Sequence, residues 1–307
     1  SRIRDFQQHP EYRTQFATLW TAYLNSGAPW QVGDLFLSPQ RRALEWIAEQ
    51  GAEAYRNGPI GEALLKLNRE QGGLWTEADL KQMAPVRREV LRGEYEEYEL
   101  LTMPPPSSGG IALLESLNIL SAWSRRPGHS AWKELPAADR AHVLVEALKH
   151  SFADRAEFLG DADFVDVPVA RLISTEHAER LASRLRLDRT QTPQNYGRFQ
   201  LPDDSGTTHF CVMDAACYAV ACTETINTTF GSYVVEPTTG IVLNDEMDDF
   251  TAIPGEPNAF GLQQSAANAI APGKKPLSSM TPTIVLRDGQ AVAIAGGSGG
   301  PRLITAT

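Results

Sequence analysis

The chain has 307 residues, of which 42% are hydrophobic and 21% are charged, as is ordinary for a globular protein with a sizeable core. Its 38 acidic and 28 basic residues give a formal net charge of -10, which argues against nucleic acid or anionic lipid as a partner. No apolar run approaches the roughly 20 residues that span a bilayer, and residues 1–6 lack the apolar core of a signal peptide. The sequence itself therefore does not indicate a compartment.

Helical signals dominate the first 200 residues. Ser38 and Pro39 offer a cap and a first-turn proline, and Thr76 precedes an acidic first turn. The prolines at 104–106 exclude a helix there, whereas the serines that follow can cap the next one. The predicted elements are helices at Tyr12–Leu24, from Ser38 and Pro39 through Ala48, Pro59–Asn68, after Thr76, Ile111–Trp123, Ala137–Leu159 and after Ser174, with a strand at Tyr98–Met103.

Strand signals replace the helical ones after about residue 206. Alternating side chains predict one hairpin, and the turn Asp288-Gly289 predicts another. The predicted strands are residues 208–213, 218–223, Ile241–Leu243, Thr283–Arg287 and Ala291–Ile294. A helical block followed by a sheet block predicts an α+β fold with helices layered on sheets, rather than alternating βαβ units.

Two groups of potential metal ligands do not predict a metal site. His142, Glu146 and His150 share one helix face, but eight residues separate the histidines by roughly 12 Å, too far for one ion. A polar helix face with hydrogen-bonded histidines is expected instead. The cysteines lack CxxC spacing and are odd in number, so free thiols buried in strands are expected: Cys211, Cys217 and Cys222.

Two other segments have features of catalytic sites. The loop Gly296–Gly300 presents consecutive backbone N–H groups that suit a phosphate or a developing oxyanion, or it is a plain glycine-rich loop. Thr207 follows Gly206 and a stretch that reads as a loop. Its hydroxyl is a nucleophile only if a base takes the proton, and its own α-amine can do so once the Gly206–Thr207 bond is cut. The local sequence alone favours an ordinary strand start over a nucleophile.

Several stretches together resemble the γ-glutamyltranspeptidase family of N-terminal nucleophile enzymes. They occur in the family's order and cover nearly the whole chain. The stretches are Met103–Gly110, Leu159–Val165, Thr207–Phe210, Thr225–Gly231, Asn244–Phe250, Pro276–Pro282 and Gly299-Gly300. The resemblance implies a four-layer αββα sandwich in which residues 1–206 form the large-subunit part and 207–307 the small-subunit part, interwoven in one domain after self-cleavage at Gly206–Thr207.

The resemblance also implies roles for individual residues. Thr207 matches the nucleophile, with Thr225 as the hydroxyl that hydrogen-bonds it, and Gly299 and Gly300 match the oxyanion-hole amides. The residues that grip the donor are Asn227, Glu246 and Asp249 at its α-amino end and Ser278 and Ser279 at its α-carboxylate. Acidic groups opposite an ammonium and hydroxyls opposite a carboxylate are electrostatically consistent. No cofactor or metal is implied.

The implied activity is γ-glutamyl hydrolysis, or transfer to an amino acid or peptide, with glutathione or related amides as donors. The alternatives are a cephalosporin-type acylase, a poly-γ-glutamate processing enzyme, or an unprocessed homologue without activity. Thr208 is the alternative nucleophile. The family carries a carboxylate-binding arginine upstream of this chain and continues beyond Thr307, so a fragment is expected. The resemblance suggests a periplasmic or extracellular compartment.

Overall fold

Residues 2–191, 206–256, 258, 261–262 and 264–307 are described by a computed structural model of the chain. The chain forms two compact units, Ser1–Arg87 with Thr228–Asp245 and Arg88–Asn227 with Glu246–Thr307. Each unit therefore combines chain from before and after Gly206–Thr207. The predicted division into residues 1–206 and 207–307 describes where the chain is cut, not which residues pack together. It stays a prediction. The loop expected before Gly206 falls on residues 203–205, outside the described residues.

The first unit is helical. Two of its helices begin as their sequence signals predict: Pro59 is the first residue of its helix, and Thr76 forms a reciprocal capping box with Asp79. Its helices are α1 (Ile3–Gln8), α2 (Tyr12–Gln15), α3 (Arg41–Gln50), α4 (Glu53–Arg56), α5 (Pro59–Glu70) and α6 (Glu77–Gln82), and a π-helical turn spans Leu19–Tyr23.

Tertiary packing overrides three sequence predictions in this unit. A continuous helix from Tyr12 to Leu24 is wrong, because α2 ends at Gln15 and Phe16 turns its ring edge-on against Tyr233. Helix α3 starts at Arg41 rather than at Pro39, which packs against the backbone of Gly240. The strand expected at Ile241–Leu243 is also wrong. It contains only one bridge residue, since Ile241 and Leu243 pack into a helical cluster around Ile60.

The second unit contains both helices and sheets. Its helices are α7 (Gly109–Ser124), α8 (Ala137–Phe158), α9 (Val169–Leu172), α10 (Thr175–Ala182) and α11 (Leu303–Ala306). Its strands are β1 (Leu91–Tyr95), β2 (Tyr98–Thr102), β3 (Thr207–Met213), β4 (Ala219–Thr225), β5 (Thr283–Arg287) and β6 (Gln290–Ala295). The α+β class is confirmed.

The sheets of the second unit bring distant parts of the chain together. One antiparallel sheet has the order β1-β2-β5-β6, in which Thr102 lies opposite Thr283. The hairpin of β3 and β4 forms a second sheet, and β4 lies beside β5 and β6. On the helical side, Leu114 of α7 packs on Gly93 of β1, while α8 and α10 pack on α7 around the buried Trp123. Helices thus layer on sheets, as predicted.

Two further features concern the surface and the thiols. Over the described ranges, none of the helices combines the length and the apolarity that crossing a bilayer requires. The cysteines are free, but the expectation of buried thiols is wrong: Cys211 is exposed on β3, and Cys217 lies in the loop after β3 with a φ of 63°. The hairpin loop, not a strand, holds Cys217 because its backbone must reverse direction there.

Candidate active site

Thr207 lies at the start of β3, directly opposite Thr225 at the end of β4. Its side chain points inward, and only 8% of the residue is exposed. The Thr207 hydroxyl donates to the Thr225 hydroxyl, with 3.2 Å between the oxygens. The next residue, Thr208, is exposed because successive strand residues point to opposite faces. The hairpin register therefore pairs the hydroxyl of Thr207, and not that of Thr208, with Thr225.

The chain just after β4 fixes the Thr225 hydroxyl. Asn227 N donates to Thr225 Oγ1 at 2.8 Å, and Thr225 Oγ1 is 3.5 Å from Asn227 O, to which it can donate. This tight turn requires a φ of 74° at Asn227, a left-handed conformation that asparagine tolerates better than most residues. Asn227 itself is buried.

The glycine-rich loop after β6 lies against Thr207. The Ser298 hydroxyl donates to the backbone oxygen of Thr207, and the His209 ring packs on Gly296. The next two residues take φ values of 123° at Gly299 and 55° at Gly300, and the first of these is open essentially only to glycine. Gly299 and Gly300 directly follow Ser298 in the chain, so this glycine pair lies near the buried threonine.

A second group of predicted residues surrounds Ser278 and Ser279. The serines expected to cap α7 have a different role: Ser108 Oγ donates to Ser278 O at 2.7 Å, and Ser107 Oγ donates to Met280 O at 2.6 Å. Ser108 occupies the N-cap position without a side-chain capping bond. Gly109 permits this approach, because a Cβ there would lie 2.9 Å from Ser279 O. The start of α7 thus clamps the serine segment.

Arg155 also belongs to this group, although no sequence pattern singles it out. It projects from α8, is 2% exposed, and donates to Ser108 Oγ at 2.9 Å and to Ser279 Oγ at 3.2 Å. Burial lowers the pKa of its guanidinium to about 10, and the negative charge of Asp249 opposes that decrease. A buried, protonated arginine is therefore hydrogen-bonded to Ser279 and interacts with Asp249, an acidic residue predicted to bind the donor.

The acidic residues lie on one turn that is tied to the serine segment. Glu246 and Asp249 are the first and last residues of a 3-10 helix, and both are half-buried. The buried side chain of Asn268 donates to Asp249 O at 2.7 Å and accepts from Leu277 N at 3.0 Å. This amide fixes the end of the acidic turn relative to the residue that precedes Ser278. Asn268 could not be selected from the sequence, because its partners are far away along the chain.

All the predicted site residues lie in the second unit, in two groups. The described contacts join Thr207, Thr225, Asn227 and the glycine loop in one group. In the other, Arg155 donates to Ser279 and to Ser108, and Ser108 donates to Ser278 O. Arg155 also interacts electrostatically with Asp249, which shares a turn with Glu246. One group offers a hydroxyl and backbone N–H groups, and the other offers hydroxyls and charges of both signs. Such a pair of groups suits acyl transfer from a zwitterionic donor.

The two histidines of α8 lie in different surroundings. His142 Nε2 donates to Arg186 O at 2.8 Å, at the surface. Burial acts to raise the pKa of Glu146, but hydrogen bonds from Lys149 and Thr190 lower it overall. His150 is buried, which lowers its pKa to about 4. The polar helix face with hydrogen-bonded histidines is therefore the arrangement found.

Sequence reasoning missed a different cluster, formed by Glu115, Asp154 and His177, whose potential ligand atoms lie within 4.8 Å of one another. The arginine Arg180 donates to His177 Nδ1 at 2.5 Å, so the ring hydrogen is on Nε2, which donates to Asp154 at 2.6 Å. A metal on Nε2 would need the opposite tautomer, with Nδ1–H facing the guanidinium. The geometry therefore supports an internal hydrogen-bond network.

Comparison with known proteins identifies the family. The family model described as gamma-glutamyltranspeptidase matches residues 1–307. The chain belongs to the gamma-glutamyltranspeptidase family. It is 38% identical over 299 residues to the glutathione hydrolase proenzyme of Escherichia coli, covering 96% of this chain and 50% of that relative. It spans about half the length of the curated relatives it matches.

Solved structures support the same relationship. The gamma-glutamyltranspeptidase of Pseudomonas nitroreducens is 30% identical with a TM-score of 0.52, over 63% of this chain and 57% of that one. The cephalosporin acylase of Bacillus halodurans superposes with a TM-score of 0.74 at 22% identity, over 95% of this chain and 51% of that one. At that identity the acylase shows a shared fold only.

Proposed function

We propose that this chain carries the nucleophile and most of the donor-binding groups of an enzyme that hydrolyses or transfers γ-glutamyl groups. The observation that carries the proposal is the buried hydroxyl pair of Thr207 and Thr225, with the Ser298–Gly300 loop bound to the Thr207 backbone. Membership of the family and the glutathione hydrolase names of the relatives supply the reaction class.

Maturation precedes catalysis in this proposal. In the uncut chain, the Thr207 nitrogen is part of a peptide bond to Gly206 and cannot act as a base. Attack of Thr207 Oγ on the Gly206 carbonyl carbon, with loss of the C–N bond and a proton transferred to nitrogen, gives an ester. Water then hydrolyses the ester and leaves a free α-amine and hydroxyl on Thr207. The word proenzyme in the name of the E. coli relative agrees with such a step.

The freed amine then serves as the general base. It takes the Thr207 hydroxyl proton as Oγ attacks the γ-carbonyl carbon of the donor. The N–H groups of Gly299 and Gly300 stabilise the oxyanion, for which each such donor typically contributes about 2.7–4 kcal/mol. The proton passes to the departing amine, and an ester to Thr207 remains. Water or the amine of an amino acid or peptide then attacks the ester and restores the hydroxyl.

The second group of residues, together with Asn227 from the first group, recognises the glutamyl moiety. Asn227, Glu246 and Asp249 bind the α-ammonium, and Ser278 and Ser279 donate to the α-carboxylate. The amino terminus of α7 lies against Ser279, and the partial positive charge of a helix amino terminus favours an anion there. These opposite charges favour a zwitterionic γ-glutamyl donor over a cephalosporin side chain. The acylase alternative therefore rests on fold likeness alone, and poly-γ-glutamate processing has no separate support.

Intact-protein mass spectrometry after prolonged incubation tests the maturation step. The wild-type protein is expected to give two fragments, the second beginning at Thr207, and to release amine from γ-glutamyl p-nitroanilide. Thr207→Ala is expected to stay uncut and to lose turnover by at least about 1,000-fold, because the nucleophile is gone.

Thr208→Ala is the matched control, since it removes the neighbouring hydroxyl on the opposite face of β3. It is expected to mature and to keep turnover within about threefold of the wild type. Turnover retained in Thr207→Ala would overturn the nucleophile assignment. A wild-type chain that remains uncut and inactive would instead support the unprocessed homologue.

A further inference from the structure

Arg155 is a charged side chain that the protein encloses. Only 2% of the residue is exposed, and a pKa of about 10 still leaves the guanidinium protonated at neutral pH. Burying a cation costs free energy unless hydrogen bonds and opposite charge compensate for the lost water. The groups that contact Arg155 therefore indicate the role of its charge.

Arg155 fixes the direction of two hydroxyl groups. A guanidinium can only donate, so Ser108 Oγ accepts from Nε and Ser279 Oγ accepts from Nη2. Ser108 uses its own hydrogen to donate to Ser278 O. The hydrogen of the half-buried Ser279 hydroxyl is directed away from the guanidinium, and it is available to an acceptor such as a carboxylate. Arg155 thus orients the Ser279 hydroxyl so that it donates in the direction away from the guanidinium.

The surroundings of Ser279 also favour a negative charge. The Arg155 cation lies within hydrogen-bond distance of the hydroxyl in a water-poor environment, where charge interactions are stronger than in solvent. Helix α7 begins against the backbone of Ser279 and adds its partial positive charge. The negative charge of Asp249 interacts with the same guanidinium. Arg155 therefore couples the proposed carboxylate and ammonium ends of the donor site.

We propose that Arg155 is a positioning residue: it holds the Ser279 hydroxyl in the orientation that donates to the donor's α-carboxylate, and so makes the site selective for donors with a free α-carboxylate. This inference rests on the proposed function. Arg155 acts through the Ser279 hydroxyl and does not itself contact the carboxylate in this proposal.

Two chromogenic donors test the inference: γ-glutamyl p-nitroanilide, and the same anilide with a carboxamide in place of the α-carboxylate. In Arg155→Met, KM for the carboxylate donor is expected to rise on the order of tenfold, because a hydrogen bond to a charged group is weakened. Arg155→Lys keeps the positive charge but lacks the planar guanidinium that donates to two hydroxyls at once. It is expected to show a smaller rise in KM. For both variants, kcat and the carboxamide donor's kinetics stay within about threefold.

The double variant with Ser279→Ala separates positioning from general support of the fold. Ser279→Ala alone is expected to raise KM for the carboxylate donor. In that background Arg155→Lys is expected to change KM by less than about twofold, since the group through which Arg155 acts is gone. Equal losses with both donors, or additive effects of the two substitutions, would overturn the inference.

The same preparations distinguish failure of this inference from failure of the proposed function. A wild-type protein that matures and turns over the carboxylate donor sustains the proposed function, even if the Arg155 variants lose both donors equally. A wild type that turns over neither donor overturns the proposed function and this inference with it. If Arg155→Met does not mature, the Arg155→Lys series decides the test.

Discussion

The hydrogen bonds of the Thr225 hydroxyl determine where the Thr207 hydroxyl lies. Thr207 donates to Thr225, which also accepts from Asn227 N and lies within reach of Asn227 O. The Thr225 oxygen is therefore fixed by backbone groups, and it fixes Thr207 Oγ in turn. A nucleophile held in one rotamer needs less reorganisation to reach the attack geometry. The Thr225 hydroxyl is thus expected to matter for kcat more than for KM.

Thr225→Ala is expected to lower kcat for γ-glutamyl p-nitroanilide on the order of 10-fold to 100-fold, because Thr207 Oγ loses its partner. Thr225→Ser keeps the hydroxyl and is expected to remain within about threefold of the wild type. Thr223→Ala is the control on the same strand, since the Thr223 hydroxyl binds His209. If Thr225→Ala and Thr223→Ala have equal kcat values, Thr225 does not position the nucleophile.

Single residues differ in how far the sequence could reveal them. Thr207, Ser278 and Ser279 lie in short stretches that resemble the family, so they could be proposed as site residues from the sequence. Arg155 could not, because a charged residue in a long helix usually faces solvent. Its burial arises from Ser108, 47 residues away, and from Ser279, 124 residues away. No local pattern encodes contacts over such distances.

Elements with local signals were predictable, and elements shaped by packing were not. The helix after Thr76 and the hairpin turn at Asp288-Gly289 are confirmed, because a capping box and two residues with φ of 51° and 75° are encoded locally. The break after Gln15 is different. It arises because Phe16 and Tyr12 pack around Phe6 and Tyr233, in a cluster that combines residues more than 200 positions apart in the chain.

Glu115 links three helices of the second unit through a buried network. It lies on α7 beside Asp154 of α8 and His177 of α10, with the positive charges of Arg171 and Arg180 nearby. Burial, and then the charge and hydrogen bond of Asp154, raise the pKa of Glu115 well above its ordinary value. The folded state therefore keeps a proton on this carboxyl at pH values where the unfolded chain has released it.

Glu115→Gln is expected to gain stability over the wild type as pH rises above the ordinary glutamate value. Folded wild-type protein binds the extra proton, so its free energy of unfolding falls with pH by about 1.4 kcal/mol per unit through this window. Glutamine does not titrate, and its amide has nearly the size of the protonated acid and offers hydrogen-bond donors. Urea unfolding between about pH 4 and pH 7 measures the difference.

Glu134→Gln is the control for this comparison, because it removes one carboxylate from an exposed position. Its difference from the wild type is expected to vary little across the same pH range. A Glu115→Gln difference that is independent of pH would show that Glu115 is ionised in the folded protein. In that case the arginines would outweigh burial and the neighbouring aspartate.

Both units of the molecule are built from chain on either side of Gly206–Thr207. In the first unit, Tyr233 OH donates to Asp5 at 2.7 Å and Tyr23 OH donates to Gly240 O at 2.6 Å. In the second unit, β2 pairs with β5 along the antiparallel sheet. If the Gly206–Thr207 bond is cut, the two fragments still pack against each other in both units. Neither fragment contains a complete core on its own.

The two fragments of the matured protein are accordingly expected to elute together in size-exclusion chromatography under native conditions, and to separate only in concentrated guanidinium chloride. Their contacts are backbone ladders, aromatic rings and buried hydroxyls, which salt screens little, so about 1 M NaCl should not divide them. Uncut Thr207→Ala is the control and is expected to elute as one chain in both solvents. Fragments that separate in native buffer would mean that the core contacts across Gly206–Thr207 do not hold the molecule together.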